Sequence, residues 1–137
     1  MEKHYLLNDS EFETQFENAS MDPVLFSHEA HLRLAWIYIR NYGLETAIEK
    51  VCSQIKQFDK THGDGTKFNT TVTIASVKMV NHFVLKTESS DFKTFIFQNP
   101  RLKSNFKQLI DQHYEVDIFQ NELARIQFLE PDLLPFD

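Results

Sequence analysis

The sequence predicts an all-α protein, a single-domain irregular or orthogonal helical bundle of about six to seven helices. Three observations carry that expectation. There are 13 Phe in a 137-residue chain with only 3 Gly and 4 Pro, a composition that favours long regular elements over tight turns. Apolar residues recur at helical spacing in segment after segment. Hydrophobic residues make up 42% and charged residues 25%, close to globular averages, so one packed core over 1–137 is expected.

The elements follow in order. Asp9 or Ser10 can cap a short first helix over 9–19, with Glu13 in a capping-box position and Phe12 and Phe16 at i, i+4. After a loop through Met21-Asp22-Pro23, Ser27 caps a helix over 28–41, and Gly43 stands where a left-handed C-terminal cap is expected. Apolar residues from Leu32 to Ile39 run almost all the way round that helix, which marks it as central. A third, one-sided helix starts near Leu44 and carries Ala47, Ile48, Val51, Cys52, Ile55 and Phe58, with Gly63 as its terminator. Its Cys52 reads as a buried structural thiol.

The fourth segment holds a β-branched run over 70–76 that could be a strand. Val72, Ala75, Met79, Val80, Phe83 and Val84 continue one helical stripe, so a helix is expected. Ser90 and Asp91 cap a short helix with Phe92, Phe95 and Ile96; Asn99-Pro100 opens another with Leu102, Phe106, Leu109 and Ile110. A last helix is expected from about Asp117 through Phe119, Leu123 and Ile126, followed by an apolar tail over 129–137 that lies across the bundle.

A net charge of −6 and the lack of any Lys/Arg cluster argue against nucleic-acid partners and against an anionic membrane surface. The longest apolar run, Leu34 to Ile39, is too short to span a bilayer, and the first residues lack a signal-peptide layout. With one cysteine and hence no internal disulfide, a cytoplasmic location is expected. Neither a phosphate-binding glycine loop, a Cys-x-x-Cys pair nor a nucleophilic Ser turn is present.

The one cluster of chemistry is His28-Glu29-Ala30-His31 at the start of the central helix. Spacing i, i+3 brings the two imidazoles near one face, at about 5 to 6 Å between Cβ atoms, where a divalent metal or a ligand could bridge them. Uncompensated N–H groups at a helix start favour the neutral imidazole, the form that binds metals or takes a proton. Two histidines make an incomplete metal site; His62, Asp64, His82, His113, Glu115 and Asp117 are the possible suppliers of the rest. The alternative is that both histidines are structural and the protein is a non-enzymatic protein–protein interaction module, with a homodimer through exposed aromatic surface as one form.

Phe26-Ser27-His28-Glu29-Ala30-His31-Leu32-Arg33-Leu34-Ala35-Trp36, then Lys67 to Thr73, Asn99-Pro100-Arg101-Leu102, and Ala124-Arg125 with Pro131-Asp132-Leu133-Leu134-Pro135 resemble a family of small uncharacterised bacterial helical proteins. The first block of that family reads Phe-x-His-x-x-His-Leu-Arg-Leu-Ala-Trp. Where its second block often has His, this chain has Asn69, a poor ligand for zinc or iron. The resemblance implies a pocket where the start of the central helix meets the start of the fourth. His28, His31, Arg33, Asn69, Thr71 and Thr73 would line it, a polar set suited to a small anionic or hydrogen-bonding molecule. It implies no particular reaction, so whether the protein is an enzyme stays open.

Overall fold

The computed structural model describes residues 2–136, and the chain divides into two compact units between Phe68 and Asn69. Among the described residues every regular element is helical. The ambiguous fourth segment is a helix, as its stripe indicates.

The first unit runs from a 3-10 turn, Lys3–Leu6, through α1 (Asp9–Glu17) and a second 3-10 turn, Pro23–Leu25, to α2 (His28–Tyr42) and α3 (Leu44–His62). Helix α2 packs chiefly against α3, and α1 lies against both. Every residue from Leu32 to Ile39 is buried, as expected of a helix apolar around its whole circumference. Ser27 caps it by accepting from the Ala30 amide, and Gly43, at φ +86°, turns the chain into α3 with a backbone angle that L side chains rarely adopt.

Three details of the first unit correct the sequence reading. The cap of α1 is Asn8, not Asp9 or Ser10: Asn8 and Glu11 form the reciprocal capping box, and Glu13 instead meets Asn41 and Tyr42 of α2. Helix α1 also stops two residues short of 19, because Ala19 takes a left-handed backbone conformation at φ +56°. Cys52 is half-buried rather than fully enclosed, and burial still pushes its thiol up to about 11.

The second unit contains α4 (Thr70–Lys86), α5 (Phe92–Gln98), α6 (Arg101–Ser104), α7 (Phe106–Asp111) and α8 (Glu122–Ile126). Helix α4 packs against α7 and α8. The single helix expected after Pro100 is broken at Asn105, whose φ of −132° leaves the helical region. The last helix is shorter than expected as well. Asp117 spends its carboxylate on the Phe119 amide in a local turn, and α8 begins only after Asn121 caps the Ala124 amide. The tail is tied into this unit, the Leu133 amide to the His113 carbonyl and His113 Nδ1 to the Leu134 carbonyl at 2.7 Å. Residue 137 lies outside the described residues.

Candidate functional site

The start of α2 has two chemically distinct sides. On one side His31 Nδ1 lies 2.7 Å from the Ser27 carbonyl oxygen, which also takes the His31 amide at 3.0 Å. A carbonyl can only accept, so Nδ1 carries the proton and the neutral ring presents a bare Nε2. Phe26 stacks on the imidazole, with ring centroids 3.7 Å apart and planes 22° from parallel. The ring retains exposed surface although many protein atoms surround it, because it forms part of the wall of an open cavity. Desolvation in that concave setting pushes its pKa down to about 4, with nearby His28 acting in the same direction and the Ser27 hydrogen bond against it.

That cavity has a volume of about 330 Å³ and lies wholly within the first unit. Its aromatic walls belong to one cluster. Phe16 stacks on Phe58 at 5.1 Å, and Phe26 meets Phe16 at 4.6 Å and Phe58 edge-on at 5.1 Å. Phe26, Phe58, Phe68 and Ile55 line the space, together with His31, His62, Asp59 and Lys67. His62 sits on the last turn of α3 and donates from Nε2 to the Ala19 carbonyl at 2.7 Å, so in the neutral form of the ring Nδ1 is the acceptor.

The floor of the cavity depends on the loop after α3. Asp59 Oδ2 accepts from the amides of Lys67 at 2.9 Å and Phe68 at 3.1 Å and so folds residues 63–68 back against α3. Gly63 permits this closeness: a Cβ there would stand 2.8 Å from Asp59 Oδ1 and 3.0 Å from its carbonyl oxygen. Asp64 completes the turn by accepting from the amide and hydroxyl of Thr66, which lowers the pKa of its carboxyl.

On the other side of the helix start, Glu29 and Arg33 face the N-terminal segment. Both are buried, at 5% and 4% exposure, and His4 is fully buried. Arg33 donates to the carbonyls of His4 (2.7 Å) and Leu7 (2.9 Å) and pairs with Asp9 at 2.8 Å, its guanidinium 4.7 Å from the Phe12 ring centroid. Glu29 accepts from His4 Nε2 at 2.7 Å and from the Tyr5 hydroxyl. Desolvation lowers the His4 pKa despite Glu29, and the same burial raises that of Tyr5.

Glu2, His4 and Glu29 are close enough in space to suggest a cation site. The proton positions argue otherwise. Arg33 Nη1 lies 3.2 Å from His4 Nδ1 and can only donate, so the His4 proton belongs on Nε2, where it meets Glu29. A metal would need that same Nε2 lone pair and would have to approach a buried guanidinium. The group is a hydrogen-bonded network that pins the N-terminal turn to α2.

Within the first unit the expected site residues meet different partners. His31 lines the cavity; His28 is exposed at the first turn of α2; Arg33 is committed to the N-terminal segment. No third His, Cys, Asp or Glu among the described residues completes a metal-ligand group with His28 and His31. Asn69, Thr71 and Thr73 belong to the second unit. Asn69 caps α4 and donates to the Ile118 carbonyl, while the Thr71 hydroxyl bridges the Gln127 carbonyl and the Leu129 amide. Thr73 is buried. Asp59, Lys67 and the three lining phenylalanines escaped the sequence reading as site residues, and His62 entered it only as one possible metal ligand. No known protein family, curated protein or solved structure matches the chain, so the geometry alone carries the functional reading.

Proposed function

We propose that this protein binds a small ring-containing molecule in the cavity between the start of α2 and the end of α3, with His31 as the orienting hydrogen-bond acceptor. The observation that carries the reading is the fixed tautomer of His31 on the wall of an aromatic-lined space: Nδ1 is spent on Ser27, Phe26 holds the ring, and Nε2 remains. A volume of about 330 Å³ matches the lower end of ordinary small-molecule sites, which are mostly apolar with a few placed polar groups. The reading assigns no reaction and needs no metal. A cytoplasmic location, expected from the lone thiol, fits this reading.

The test is a thermal-shift screen of small aromatic and heteroaromatic compounds against wild type, His31→Ala and Ile55→Phe, the last made to fill the space. Compounds that raise the Tm of wild type and of neither variant support the reading. A library without one selective compound, or stabilisation that persists in both folded variants, refutes it.

A further inference from the structure

The tautomers of both lining imidazoles point to the chemical class of the occupant. We infer that the cavity selects a planar heteroaromatic ring bearing an N–H donor; this rests on the ligand-binding reading above.

Two backbone carbonyls set the donor–acceptor pattern. Ser27 takes the Nδ1 proton of His31 and Ala19 takes the Nε2 proton of His62, each at 2.7 Å, so each ring, in its neutral form, keeps only an acceptor. These are different nitrogens on the two rings, fixed by different carbonyls, yet the outcome is the same. A ligand that brings only acceptors meets two lone pairs, whereas an N–H answers one. The walls set the shape. Phe26 and Phe58 stand edge to face at 5.1 Å, and Phe68 adds a third ring surface, which suits a flat aromatic body more than a branched aliphatic one.

The remaining polar lining is balanced in charge. The carboxylate of Asp59, with one oxygen tied to the amides of Lys67 and Phe68, and the exposed ammonium of Lys67 carry opposite signs. Neither sign of ligand charge is favoured by such a pair, so the N–H is the feature the cavity selects.

Indole and 1-methylindole test this requirement when titrated into the full chain at pH 7.5 by calorimetry or NMR. Indole should bind about tenfold more tightly than 1-methylindole, the factor expected for one ordinary hydrogen bond. His31→Phe, which keeps a ring but removes the acceptor, should bring the two together. Equal binding of indole and 1-methylindole overturns the inference while leaving the cavity reading in place. Binding of neither overturns both.

Discussion

His31 and Arg33 lie two residues apart on one helix and act on different partners. Desolvation by the surrounding cavity wall holds the His31 pKa at about 4 in the folded chain, below the usual value near 6.5. Between those two values the unfolded chain binds a proton that the folded chain does not, so stability is greatest above pH 6.5 and is lost as the pH falls toward 4. His4, also lowered, acts with the same sign. Urea denaturation at pH 7.5 and pH 5 should therefore show a loss on acidification that His31→Gln reduces; an unchanged pH dependence in that variant would count against the assignment. Arg33→Ala should cost about 2–3 kcal/mol, because two backbone carbonyls and the buried Glu29–His4 pair lose the guanidinium beside them. The urea midpoint measures it. The sequence could show that Arg33 was near the histidines, but not that its partners were Leu7, Asp9 and the His4 carbonyl, more than twenty residues away.

At the scale of elements, helices with strong end signals were legible. Ser27 and Gly43 bound α2 as the residue types predicted, and the β-branched start of α4 folds as helix because its apolar stripe continues to Val80. Weak signals misled where side chains compete for the backbone. Asp117 looks like a cap and instead makes a two-residue turn, and Asn105 interrupts a periodic stripe. The junction between α1 and the second 3-10 turn carries strain that composition hides. Ala19 holds φ +56°, a conformation costing an ordinary L residue about 1–2 kcal/mol, and its carbonyl receives His62. Ala19→Gly should raise the urea midpoint by about 0.5 kcal/mol equivalent, the relief exceeding the entropy glycine adds to the unfolded chain. The reverse case is Gly63→Ala. It should crowd Asp59, release the Lys67 and Phe68 amides to hydrogen exchange and lower ligand affinity; protection left unchanged would contradict the role given to that close approach.

Across the whole molecule, every residue lining the cavity falls between Pro23 and Phe68, whereas the polar set suggested by the sequence drew half its members from the second unit. Linear spacing found His31 because a helix start concentrates chemistry. It could not assign His62, Asp59 and Lys67 to the same site: packing of α3 on α2 brings the first two there, a folded loop brings Lys67, and the Gly63–Asp59 contact that shapes that loop is visible only in three dimensions. Thr71→Val should consequently loosen the tail, with faster exchange at the Leu129 amide, and leave ligand affinity as it was. Divalent zinc, manganese or nickel should leave the Tm unchanged; a rise abolished by His4→Gln would restore a metal to the Glu2–His4–Glu29 group. The central claim is the occupied cavity, and amide and imidazole shift mapping by NMR during titration with indole tests it most directly. The account predicts changes concentrated at His31, His62, Phe58 and Phe68, with His31 Nε2 moving most. Saturable changes centred elsewhere, or none at millimolar indole, would contradict it.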